Sequence, residues 1–100
     1  MINLQPDHLA LVKQILAQYA PGCEVRAFGS RVRGTVKDHS DLDLALVGGG
    51  PLTLEHLSRL QEAFEESDLP FRVDVLDWGS VSEEFRQLID QQYDVLQSSN

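Results

Sequence analysis

One hundred residues, 42% hydrophobic and 24% charged, make a composition suited to one folded domain over residues 1–100 and unsuited to disordered or fibrous classes. No apolar run is long enough for a membrane span, Met1–Pro6 lacks a leader pattern, and the lone Cys23 with three scattered histidines excludes both an intrachain disulfide and a Cys/His zinc site, so the reducing cytoplasm is the expected compartment. Sixteen acidic residues against eight basic ones leave a net charge of −8, which repels long nucleic-acid backbones and favours a basic protein partner.

Pro6 opens a helix whose stripe is His8, Leu11, Val12, Ile15, Leu16 and Tyr19, and Pro21-Gly22 stops it. Cys23–Phe28 reads as a short strand. Gly29 punctuates it, and Ser30 can cap a turn of helix that Arg31–Arg33 begins and Gly34 ends. Asp41–Val47 alternates, with Leu42, Leu44 and Leu46 on one face and Asp41, Asp43 and Ala45 on the other. Gly48-Gly49-Gly50-Pro51 ends that strand and is read as a plain loop, with a flap over the site as the alternative. Thr53 caps a second long helix that turns Leu54, Leu57, Leu60 and Phe64 inward and an acidic face, Glu55–Asp68, outward. Phe71–Asp77 is strand-like. Ser80 followed by Glu83 is a capping-box pattern opening a last helix with Phe85, Leu88 and Ile89 on its core face; Tyr93–Leu96 either continues it or forms an edge strand.

The expected class is therefore α/β (α+β), a small mixed sheet with helices packed on it. The first two strands are joined by too short a connection for a parallel crossover and should pair antiparallel, whereas the third follows a full helix and can lie parallel.

Asp41 and Asp43, at i and i+2 of one strand, point to the same side, where two like charges call for a cation between them. Hard oxygen ligands of this kind suit Mg²⁺ with substrate phosphates, although an Asp-x-Asp pair alone is also an ordinary polar strand face. Asp74 interrupts the apolar Val73-Asp74-Val75; a neighbouring strand can set it beside the pair, or it can face solvent from an edge. In Gly29-Ser30-Arg31-Val32-Arg33-Gly34, Gly29 admits a phosphate close to the backbone, Ser30 offers a hydroxyl, and the N–H groups of a helix start offer an anion seat. Arg33 shares a face with Ser30 and is the better phosphate ligand; Arg31 points to the rim.

Gly29-Ser30, then ten residues, then Asp41-Leu42-Asp43, with Asp74 on a later strand, resembles the signature of the DNA polymerase beta-like nucleotidyltransferases. In so short a chain, Gly-Ser-Arg-Val-Arg-Gly followed by Ser40-Asp41-Leu42-Asp43-Leu44 is similar to the minimal nucleotidyltransferases, the antitoxins paired with HEPN-domain toxins. The resemblance implies the nucleotidyltransferase fold. It also implies Gly29, Ser30, Arg31 and Arg33 at the nucleotide phosphates, and Asp41, Asp43 and Asp74 as catalytic carboxylates holding two Mg²⁺ ions. The implied reaction is transfer of AMP from the donor ATP to a tyrosine of the partner toxin. The family usually carries alanine where Val32 stands. Two alternatives are an antitoxin that neutralises by complex formation without catalysis, and a small-molecule nucleotidyltransferase of the antibiotic-modifying kind working as a homodimer. Trp78 is read as core or rim, with a partner anchor as the alternative.

Overall fold

The computed structural model describes residues 4–29, 41–48 and 53–98. In chain order these form α1 (Pro6–Tyr19), β1 (Glu24–Phe28), β2 (Leu42–Val47), α2 (Leu54–Glu65), β3 (Val73–Asp77), a 3₁₀ turn (Trp78–Ser80), α3 (Glu83–Gln91) and β4 (Asp94–Gln97). The four strands make one mixed sheet in the order β3-β2-β1-β4. β1 runs antiparallel to both β2 and β4, and β3 runs parallel to β2, so the directions expected for the first three strands are the ones observed. The last segment is thus an edge strand, not a continuation of α3. The expected helical turn Arg31–Arg33 and the loop Gly49-Gly50-Pro51 lie outside the described residues.

The main core lies between one face of the sheet and the pair α1 and α2. Val12, Leu16, Leu42, Leu44, Leu46, Leu60 and Val25 are essentially without exposed surface, with Phe64 and Val73 packed among them. Each fully buried branched aliphatic side chain contributes about 1.5–3 kcal/mol, so the leucines of β2 are the strand's anchor. Ala45, on the opposite face of β2, is equally buried, because the second face is also covered there, at the 3₁₀ turn.

That second face is built differently. Arg26 of β1 lays its guanidinium against the rings of Tyr93 (4.5 Å) and Trp78 (5.1 Å) and pairs with Glu24 and, at 3.1 Å, with Asp90 of α3. Arg86 adds a bond from Nε to the Trp78 carbonyl, 2.9 Å. Trp78 is therefore held by arginines within the chain. Gln97 closes the remaining end of the sheet, its amide Nε2 donating to the carbonyls of Ala20 and Cys23, which α1 and its following turn leave without helical partners.

Three local expectations are corrected. α3 is capped by Ser82, which accepts from Phe85 N–H. Ser80 instead donates to the Asp77 carbonyl inside the 3₁₀ turn, whose own cap is Asp77; this extra turn moves the helix start past Ser80. Leu54 is 85% exposed, because it opens the first turn of α2, ahead of the part that reaches the core. Phe85 and Leu88 are 40% and 63% exposed, and only Ile89 of the three is buried: α3 meets the sheet through Ile89 and the edge of Phe85, and leaves a hollow beside them.

Candidate active site

Two of the expected carboxylates, Asp43 and Asp74, stand on neighbouring strands where β2 lies between β1 and β3. Asp43 of β2 stands opposite Phe28 of β1 on one side and opposite Asp74 of β3 on the other. Cross-strand partners share a face, so the parallel register sets Asp43 and Asp74 on neighbouring strands about 4.8 Å apart. Asp41 is exposed and precedes β2 at the same end. Among the described residues no three His, Cys, Asp or Glu side chains gather closely enough to hold a metal ion. The Asp74 carboxylate is turned to Arg72, whose Nε donates to it at 2.8 Å.

Gly29 follows β1 with φ +85°, and a Cβ placed on it would sit 2.5 Å from Asp43 Oδ2. Two requirements thus meet in one residue: a left-handed backbone that glycine alone adopts freely, and a bare edge against a carboxylate. On this side Phe28, Gly29, Asp43, Phe85, Leu88 and Ile89 line a pocket of about 500 Å³, within the usual range for small-molecule sites. Phe28 and Phe85 meet edge to face in its wall, centroids 5.9 Å apart.

By type the carboxylates suit a divalent cation of the Mg²⁺ kind, because they are hard oxygen donors and like charges at opposed register positions are unfavourable without a cation beside them. Arg72 is that cation for Asp74 here. Ser30, Arg31 and Arg33, the expected phosphate ligands, lie outside the described residues. Sequence reasoning missed Arg72, although it stands two residues before Asp74 on one strand face, and the Phe28–Phe85 wall, because Phe85 read as core and Phe28 as the apolar end of a strand.

A four-stranded mixed sheet carrying three helices in this order is the fold of nucleotidyltransferases. One chain of a crystal structure of a toxin–antitoxin with AMP-PNP superposes with a TM-score of 0.76 at 25% identity, covering 90% of this chain and 73% of that one. A chain of the complex of a tri-AMPylated Shewanella oneidensis HEPN toxin with its MNT antitoxin shares the fold at a TM-score of 0.65 and 22% identity, covering 90% and 72%.

The family model described as Polymerase beta, Nucleotidyltransferase matches residues 11–100, and the chain belongs to that family. It is also 51% identical, over 96% of its own length and 84% of the relative's, to the probable protein adenylyltransferase MntA of Haemophilus influenzae.

Proposed function

We propose that the chain is a Mg²⁺-dependent adenylyltransferase acting in the cytoplasm as the antitoxin of a HEPN-domain toxin, to whose tyrosine hydroxyl it transfers AMP from ATP. The observation that carries this reading is the placement of Asp43 between bare Gly29 and Asp74 on three adjoining elements, in a chain half identical to a probable protein adenylyltransferase. The AMP-PNP in the toxin–antitoxin structure of like fold supports ATP as donor.

In this reading Gly29 admits the phosphates of ATP, Ser30 and Arg33 hold them, and Arg31 stands at the rim. Asp41 and Asp43 would hold a divalent cation for the triphosphate, and Asp74, released from Arg72, would hold one for the acceptor and take up the proton of the hydroxyl. Metal ions bound there would supply neutralisation of the leaving pyrophosphate and a lower pKa for the attacking hydroxyl. The hydroxyl oxygen forms a bond to the α-phosphorus as the bond to pyrophosphate breaks. Because the pocket lies on the β1 side of Asp43, away from Asp74, its aromatic wall suits the adenine base and not the acceptor.

The test is the intact mass of the cognate HEPN-domain toxin, prepared apart from this chain, after incubation with the chain, ATP and Mg²⁺. One or more added AMP units are expected, and none with Asp41→Asn/Asp43→Asn. Neutralisation of the toxin retained by that double variant would show masking by complex formation instead.

A further inference from the structure

β3 is an edge strand, and two backbone groups of its outer edge are taken by one side chain. Leu42 N–H of β2 donates to the Arg72 carbonyl at 2.9 Å, so Val73 and Val75 turn their backbone groups away from β2. Gln61 of α2 takes one group of each: its Nε2 donates to the Val73 carbonyl at 2.6 Å, and its Oε1 accepts from Val75 N–H at 3.2 Å. A residue of a parallel neighbour strand makes this pair of bonds, one to i−1 and one to i+1, and is thereby centred on residue i. Here residue i is Asp74. The amide of Gln61 stands in for a single residue of a missing fifth strand, at the one position that carries the third carboxylate.

We propose that Gln61 is the positioning residue for Asp74; this rests on the reading of Asp74 as a metal and acceptor-side ligand. Edge strands are the least restrained parts of a sheet and invite pairing with other chains. A shallow groove between Leu54, Leu57, Ser58, Gln61 and Val75 opens beside this one. The Arg72–Asp74 ion pair is solvent-exposed on both sides and holds little. Mg²⁺ demands near-ideal ligand geometry at about 2.1 Å, so the backbone on either side of Asp74 has to be held from elsewhere. α2 does this while buried through Leu60 and Phe64, which ties the carboxylate to the main core.

Gln61→Met keeps length and apolar bulk and removes both bonds. In the AMP-transfer assay it is expected to lower kcat about 10- to 100-fold, leave KM for ATP within about twofold, and raise the Mg²⁺ concentration needed for half-maximal rate. Added to Asp74→Asn it should cost nothing further, because the two act through one carboxylate. Gln61→Glu keeps the acceptor for Val75, loses the donor to Val73, and should fall between. Independently of activity, exchange of the Val75 amide should quicken at least about tenfold in Gln61→Met. Additive losses in the double variant, an unchanged Mg²⁺ requirement, or unchanged Val75 exchange overturns the proposal. A fully active Asp74→Asn overturns it as well, and does so by defeating the role of Asp74 itself.

Discussion

At Gly29 the absence of a side chain has two separate consequences. An alanine at φ +85° costs about 1–2 kcal/mol in backbone strain, which lowers the thermal midpoint of a domain of this size by about 4–16 °C. The greater effect falls on Asp43, whose Oδ2 would have a methyl carbon at 2.5 Å and must turn away. Gly29→Ala is therefore expected to leave a folded protein whose AMP transfer is reduced about 100-fold or more, measured beside a thermal melt. An undiminished rate would mean that the carboxylate rotates without cost. The glycine was legible in the sequence from its place between a strand and a serine. Its contact with Asp43 was not, because those residues are joined only through strand pairing. Asp74 illustrates the same division: its residue type inside an apolar strand stood out, while its apposition to Asp43 is a matter of register.

Among the elements, α3 departs furthest from its amphipathic reading. Its period was legible, and so were its residues, but the depth at which it sits on the sheet depends on how much of the second face Arg26, Trp78 and Tyr93 already occupy. With that space filled, Ile89 alone reaches the interior and Phe85 and Leu88 become a pocket wall. If the wall receives adenine, Phe85→Ala removes a stacking surface worth about 1–3 kcal/mol. KM for ATP should rise about tenfold with kcat nearly unchanged, as steady-state kinetics can separate. An unchanged KM would assign the pocket to something other than the base. The shift of the cap from Ser80 to Ser82 has an equally local cause: Asp77 captures Gly79 N–H at 3.2 Å, starts a 3₁₀ turn, and spends Ser80 within it.

For the molecule as a whole, the two sheet faces contribute unequally. The α1–α2 face is apolar and tightly filled, so Leu44→Ala should cost about 2–5 kcal/mol, a large part of the roughly 5–15 kcal/mol that holds a small domain together. The opposite face rests on Arg26 and its partners, where cation–π contacts and partly exposed ion pairs contribute about 1–2 kcal/mol. Urea denaturation of Leu44→Ala and Arg26→Met should therefore give midpoints in that order, the leucine variant lower. The reverse order would place the main support of the sheet under α3. Among the described residues no helix is long and apolar enough to cross a membrane.

By itself the sequence determined the order of the three long helices and the first three strands, the antiparallel start of the sheet, and the room for a parallel third strand, while leaving Tyr93–Leu96 open between helix and strand. Each of these follows from periodicity, capping or connection length, which act within a few residues or set the reach of a loop. Tertiary structure alone decided the strand order β3-β2-β1-β4, the apposition of Asp43 and Asp74, the pocket beside Gly29, and the Gln61 amide at the edge of β3. Those depend on which backbone groups pair across the sheet and on how deeply a helix can settle, quantities set by the packing of distant segments against one another.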